Sequence, residues 1–140
     1  MVGLLVVAHG KIAESFIQVA QSIMGELVGV QAISLPEPLD EKEVLEDIQR
    51  ARKKVDGGEG ILILTDMFGG TPANLCFSLL EDDQVEVLTG MNLPMILKIL
   101  SLQKEVGLAE LARKAKECGR ENIYFAREIL DQRSKNVNED

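Results

Sequence analysis

Residues 2–10 read VGLLVVAHG (Val2 to Gly10), a near-continuous apolar run that ends in a histidine and a glycine. A second run of this kind, GILIL, covers Gly60 to Leu64. Apolar runs without polar alternation are typical of strands in a parallel sheet that is covered on both faces. Val30 to Leu35 and Val85 to Thr89 are weaker strand candidates.

Segments with helical periodicity separate these runs. Apolar residues recur at three- and four-residue spacing over Lys11 to Met24 and over Asp40 to Val55, which predicts two amphipathic helices. Asp40 is the candidate N-cap of the second helix, with Glu43 completing a capping box.

Three further helices are indicated by their end signals. Thr71-Pro72 and Asn92-Leu93-Pro94 each place a capping residue just before a proline, which is typical of a helix start. The last of the three covers Leu108 to Cys118 and is predicted to end at Gly119.

Strands that alternate with helices predict an α/β fold, an open, twisted, mostly parallel sheet with helices on both faces. We expect the common strand order 2-1-3-4, together with a short antiparallel strand over Asn122 to Ala126. One domain is predicted over 1–128. Residues 129–140 form a C-terminal extension whose polar end, from Ser134 onward, is expected to be partly disordered.

Composition argues against several classes of function. The net charge is −8 and no extended basic face is present, so no nucleic-acid partner is expected. No apolar run is long enough for a membrane span, and the first residues do not resemble a signal peptide. The two cysteines, Cys76 and Cys118, have no metal-type spacing, which favours unpaired thiols in a cytoplasmic protein without a metal site.

The predicted topology places His9 and Asp66 at the end of the sheet where ligands bind. In open parallel sheets this place lies beyond the carboxyl ends of the strands, at the switch in strand order. His9, the single histidine, follows the first strand, and Asp66 follows the third. Imidazole can act as a nucleophile, and a carboxylate on one ring nitrogen would leave the other free to attack. Alternatively, Asp66 only ends its strand in a turn.

A glycine-rich loop, Phe68-Gly69-Gly70-Thr71-Pro72, leads into the third helix. Backbone N–H groups of such a loop and helix start suit phosphate, although the sequence is not a P-loop. Thr71 is an N-cap in one interpretation and a hydrogen-bond donor to phosphoryl oxygen in the other. The candidate phosphoryl-binding residues are Gly10, Gly70 and Thr71.

Apolar residues also lie on the loops at this end of the sheet. They are a candidate docking surface for another protein, or they fold back onto the core, and the sequence leaves both open. These residues are Met67, Phe68, Met91, Leu93 and Pro94. The sequence lacks any nucleotide motif, so we expect no cofactor and expect phosphate to arrive already attached to another protein.

Three ordered motifs resemble the mannose-family IIA component of the bacterial sugar phosphotransferase system (fructose/mannose type). The similarity runs from Met1 to about Phe125. Its motifs are His9-Gly10 with Ala13-Glu14-Ser15 and Ile23-Met24-Gly25, then Thr65 to Asn74, then Thr89 to Met95.

The resemblance implies a phosphocarrier. It would accept a phosphoryl group from the histidine-containing phosphocarrier protein (HPr) onto His9 and pass it to a IIB component, meeting the membrane only indirectly through IIC and IID. Asp66 matches the aspartate that orients the active histidine, and Thr71 matches the hydroxyl residue near the phosphoryl group. The family also implies a homodimer that exchanges a C-terminal strand, here within Asn122 to Ala126, and favours Nε2 as the phosphorylated atom.

Two alternatives remain from the sequence. One is a regulatory module in which the phosphorylation state of His9 signals to a partner outside transport. The other is the related phosphoryl donor of dihydroxyacetone kinase, which the loop Phe68 to Pro72 resembles less closely.

Overall fold

The computed structural model describes residues 1–67 and 69–139, the last three of them by their backbone. Within this part the strands are β1 (Gly3–His9), β2 (Val30–Leu35), β3 (Ile61–Thr65) and β4 (Val85–Leu88). The helices are α1 (Ile12–Met24), α2 (Glu41–Val55), α3 (Gly70–Phe77), α4 (Leu93–Leu102), α5 (Leu108–Glu121) and α6 (Ala126–Glu139).

The sheet confirms the predicted α/β class and strand order. Its strands are all parallel and lie in the order β2-β1-β3-β4. β1 is central, and its residues pair with β2 up to His9↔Leu35 and with β3 up to Val7↔Thr65. The carboxyl ends of β1, β2 and β3 therefore lie side by side at one edge of the molecule.

Alternating side chains of β1 supply the core on each face of the sheet. Leu4, Val6 and Ala8 belong to one buried cluster, whereas Leu5 and Val7 belong to the other. Helices α1, α4 and α5 cover the first face, and α2 and α3 cover the second. Each fully buried aliphatic side chain stabilises the fold by roughly 1.5–3 kcal/mol relative to exposure in water. This burial on both faces explains the continuous apolar strands.

Side-chain caps fix two helix starts as predicted. Asp40 accepts hydrogen bonds from the backbone N–H groups of Lys42 and Glu43 at the start of α2. Asn92 accepts one from the N–H of Met95 at the start of α4. Both caps hold helices that pack on the sheet beside the candidate site.

Two predicted helix boundaries, the start of α3 and the end of α5, were wrong. Thr71 does not cap α3, because the helix already begins at Gly70 and its N-cap is Gly69. Gly119 does not end α5, which continues to Glu121. Gly119 serves close packing instead, since a Cβ there would lie 2.8 Å from the Met95 Cε.

The predicted antiparallel strand over Asn122 to Ala126 is not formed in the described part of the single chain. Residues 122–125 lie outside helix and strand, and α6 begins at Ala126. A lone strand without a sheet edge leaves its backbone groups unpaired, so the segment has no reason to stay extended alone. Helix α6 includes Ser134 to Glu139, and the partial disorder of the extension remains a prediction. A domain end at 128 remains a prediction.

The two cysteines are free thiols, and Cys76 is buried in the core. Cys76 and Cys118 form no disulfide. Burial raises the pKa of the Cys76 thiol to about 11, so this side chain is a core residue and not a nucleophile. Within the described residues, no helix is both long and apolar enough to cross a membrane.

Candidate functional site

His9 and Asp66 contact each other at the carboxyl end of the sheet. His9 is the last residue of β1, and Asp66 directly follows β3. The Oδ2 atom of Asp66 accepts hydrogen bonds from the His9 backbone N–H at 3.0 Å and from its Nδ1 at 2.7 Å. The neighbouring strands thus bring together the two residues that sequence reasoning placed there.

This contact sets the chemistry of the ring. A carboxylate only accepts hydrogen bonds, so Nδ1 carries the proton and Nε2 keeps a free lone pair. The His9 side chain is 45% exposed and the Asp66 side chain only 15%. The ring is therefore held in one orientation and one tautomer while an incoming group can still reach it.

Asp66 is tuned to remain a carboxylate. Burial alone would raise its pKa, but the hydrogen bonds from the His9 ring and backbone, together with the imidazole charge, outweigh burial and lower it. Asp66 is consequently ionised at neutral pH. Its second oxygen, Oδ1, is buried and has no hydrogen-bond partner among the described residues.

A cleft of about 250 Å³ lies beside the ring and brings Gly70 and Thr71 to His9. Gly69 and Gly70 have φ values of 86° and 80°, which L side chains rarely adopt, so the two glycines permit the sharp entry into α3. Thr71 is exposed in the first turn of α3. Its hydroxyl and the unpaired N–H groups of that turn suit an anion.

Gly10 is placed differently from the predicted phosphoryl-binding role. Its N–H donates to the Leu35 carbonyl at 3.3 Å, and it is not among the described residues that line the cleft. Its φ of 53° turns the chain sharply from β1 toward α1. Gly10 therefore shapes the site, and its N–H is already used.

Sequence reasoning missed one wall of the cleft. The connection from β2 to α2 contributes Leu35, Pro36, Glu37 and Leu39. The signal was available, because β2 neighbours β1 in the predicted order and its carboxyl end had to lie at the same edge. The loop carries no motif of its own, and only the topology indicates it.

The predicted docking residues divide between surface and core. The Met67 side chain is 57% exposed, whereas Met91 is buried in the core against the first face of the sheet. Leu93 and Pro94 are half-buried. Phe68 lies outside the described residues. For Met91 the structure supports the alternative in which the loop folds back onto the core.

A separate apolar groove of about 470 Å³ lies on the other face of the sheet. It is lined by Lys11, Ile12, Ser15, Phe16, Val19 and Leu93. Among the described residues, no group of three or more His, Cys, Asp or Glu side chains could hold a metal ion.

Comparison with known proteins agrees with this geometry. Residues 3–116 match the family described as PTS (phosphotransferase system) fructose IIA component. The chain is 27% identical to the PTS system fructose-specific EIIA component of Bacillus subtilis, over 100% of this chain and 96% of that protein. It is also 27% identical to the PTS system mannose-specific EIIAB component of Escherichia coli, over 87% of this chain but only 38% of that longer protein.

The fold has a close counterpart among solved structures. The phosphotransferase system component EIIA from Streptococcus agalactiae superposes with a TM-score of 0.82 at 26% identity, covering 91% of this chain and 98% of that one. The family match covers far more than half of the sequence and includes both His9 and Asp66. The chain therefore belongs to the family of PTS fructose IIA components.

Proposed function

We propose that this protein carries a phosphoryl group on Nε2 of His9 and passes it between protein partners of a sugar phosphotransferase system. HPr is the donor and a IIB component is the acceptor. The observation that carries the proposal is the Asp66–His9 hydrogen bond of 2.7 Å on a ring that remains 45% exposed. A histidine held in this way is a prepared nucleophile that a second protein can reach.

The transfer needs no proton to leave the site. The Nε2 lone pair forms a bond to phosphorus while the bond from phosphorus to the donor nitrogen breaks and its electrons return to the donor ring. The His9 ring then holds the phosphoryl group on Nε2 and the proton on Nδ1, with positive charge spread over the imidazole. Ionised Asp66, 2.7 Å from Nδ1, stabilises that charge. Transfer to the acceptor reverses these steps.

The cleft beside the ring offers hydrogen-bond donors to the phosphoryl oxygens. Gly70 and Thr71 line it with His9 and belong to the first turn of α3. The N–H groups of that turn lack partners within the helix and attract negative charge. The Thr71 hydroxyl, which is not needed as a cap, is free to donate to a phosphoryl oxygen.

Reconstituted phosphoryl transfer tests the proposal. We expect phosphoenolpyruvate, enzyme I and HPr to label the protein with one phosphoryl group that is labile in acid and stable in base. Addition of a cognate IIB protein should then discharge the label. Absence of labelling would contradict the proposal, and labelling that no IIB protein discharges would favour the regulatory alternative.

We also propose that the protein is a homodimer. Ile123, Tyr124 and Phe125 are 74%, 68% and 66% exposed, an unusual cluster of large apolar side chains on a surface. β4 lies at an edge of the sheet, where an isolated bridge to Glu81 pairs only its first residue, Val85, on the outer side among the described residues. The segment that forms no strand in the single chain would add to the β4 edge of a second copy, which would satisfy its backbone and cover its side chains.

Replacing Phe125 by glutamate should weaken this dimer. A buried phenylalanine contributes roughly 1.5–3 kcal/mol, so each replaced copy should weaken dimerisation by roughly tenfold or more. Light scattering after size exclusion should give twice the chain mass of 15.4 kDa for the wild type and a mass near one chain for the variant. Leu130→Glu, at a site that is 57% exposed on α6 outside the segment, is the matched control. A monomeric wild type would refute the dimer.

A further inference from the structure

Glu37 shares the cleft in which the phosphoryl group would sit. It lies on the connection between β2 and α2 and lines the cleft of about 250 Å³ together with His9, Gly70 and Thr71. The width of a cleft of this volume is comparable with the Debye length, about 8 Å at physiological ionic strength. Salt therefore screens the interaction between two charges in the cleft only in part. Glu37 is exposed, so its carboxylate and a phosphoryl group on His9 would share a cleft that is open to solvent.

No cation in the described lining compensates that charge. The residues that line the cleft include no lysine or arginine, and Glu37 forms no ion pair or hydrogen bond with another described residue. Lys11 and Lys42, the lysines nearest in sequence to the cleft walls, line other grooves. Asp66 adds a second carboxylate, but its Oδ2 is hydrogen-bonded to the backbone and the ring of His9. Glu37 is thus an unmatched negative charge beside the site.

We propose that Glu37 weakens the hold of His9 on its phosphoryl group and so keeps the phosphorylated protein a strong donor. The proposal rests on the proposed function, because it requires a phosphoryl group on His9. Two negative charges in one partly exposed cleft repel each other, and the repulsion is present only in the phosphorylated state. The repulsion therefore shifts the equilibrium of phosphoryl transfer between this protein and its donor toward the phosphorylated donor.

An equilibrium measurement isolates this effect from docking. The transfer breaks the phosphorus–nitrogen bond of phosphorylated HPr and forms one to Nε2 of His9. Its equilibrium constant depends only on the free energies of four separate species, namely each of the two proteins with and without the phosphoryl group. Contacts made within the transient complex change the rates in both directions equally and cancel. A change in the constant therefore reports the free energy of the phosphorylated cleft itself.

The test compares Glu37→Gln with Glu41→Gln. Phosphorylated HPr, freed of enzyme I and phosphoenolpyruvate, is mixed with each protein, and the labelled fraction of both partners is measured at equilibrium. Glu41 is exposed at the start of α2 and lines a different groove, so its replacement removes the same net charge outside the cleft. We expect Glu37→Gln to shift the constant roughly three- to tenfold toward this protein, less in high salt, and Glu41→Gln to leave it unchanged.

The outcomes separate this inference from the proposed function. If the wild type takes no label, both are overturned. If all three proteins take label with the same equilibrium constant, the proposed function stands and the role of Glu37 is overturned. That role is also overturned if Glu37→Gln changes only the transfer rates, because such a result would make Glu37 a docking contact. An equal shift of the equilibrium constant in both variants would show that the effect comes from net charge alone. That result would overturn the role of Glu37 as well.

Discussion

We expect the replacement of His9 by alanine to abolish phosphorylation by HPr while the protein stays folded. His9 is the only histidine in the chain, so no other imidazole can take its place. The His9 side chain is 45% exposed and belongs to neither buried hydrophobic cluster. The expected loss is complete within the detection limit of a radiolabel, measured after quenching in base, where phosphohistidine survives.

The fold of the His9→Ala variant should survive because the backbone contact remains. The His9 N–H still donates to Asp66 Oδ2, so the buried carboxylate keeps one partner. Losing the ring hydrogen bond should cost about 1–3 kcal/mol, a fraction of the stability of a typical domain. Thermal unfolding by circular dichroism checks this point. An acid-labile label that persists in the folded variant would remove His9 from the mechanism.

The part of the site built on the sheet could be predicted from the sequence. Apolar strands flanked by amphipathic helices leave few topologies, and the ligand rule for parallel sheets then selects the residues after β1 and β3. His9 and Asp66 follow from these two steps without any side-chain coordinates. Their contact is a consequence of strand order, which the hydrophobic pattern indicates well.

Features that depend on tertiary packing could not be predicted in the same way. Thr71 carries a good capping side chain, but the preceding glycines adopt positive φ and start α3 two residues earlier. Gly119 looks like a helix end, yet it lies inside α5, where it packs closely against Met95. Met91 lies in a loop by its sequence context and is nevertheless buried. For Gly119 and Met91 a contact that is distant in sequence overrides the local signal, whereas for Thr71 the backbone of the two preceding glycines does so.

The segment from 122 to 126 shows a different limit. Its apolar residues predict a strand, but a strand needs a neighbour, and this segment pairs with no strand of the single chain's described residues. Its exposed Ile123, Tyr124 and Phe125 suggest that the missing neighbour belongs to a second copy. The proposed dimer would complete a strand that the sequence pattern indicates and the single chain leaves unpaired.

Replacing Asp66 separates its two effects on His9, orientation and charge. Asp66→Ala removes both and should slow phosphoryl transfer from HPr by about 10²–10⁴-fold, the range typical of losing a group that orients a catalytic histidine. Asp66→Asn should lose less. The Oδ2 position accepts from both the backbone N–H and Nδ1 of His9, so an asparagine must place its carbonyl oxygen there, because an amide NH₂ would face two donors.

The asparagine variant therefore keeps the tautomer and loses the charge. Its NH₂ group falls where Asp66 Oδ1 is buried without a partner, which costs some stability but leaves the ring oriented. A hydrogen bond to a charged group contributes about 1.5–3 kcal/mol against about 0.5–1.5 kcal/mol for a neutral pair, so Asn should slow transfer by roughly 5- to 15-fold. Single-turnover rates from phosphorylated HPr, measured for both variants at one pH, give the comparison. An asparagine variant slower than the alanine variant would mean that the amide has turned and forced the proton onto Nε2. An alanine variant within threefold of the wild-type rate would mean that the carboxylate has no role in transfer.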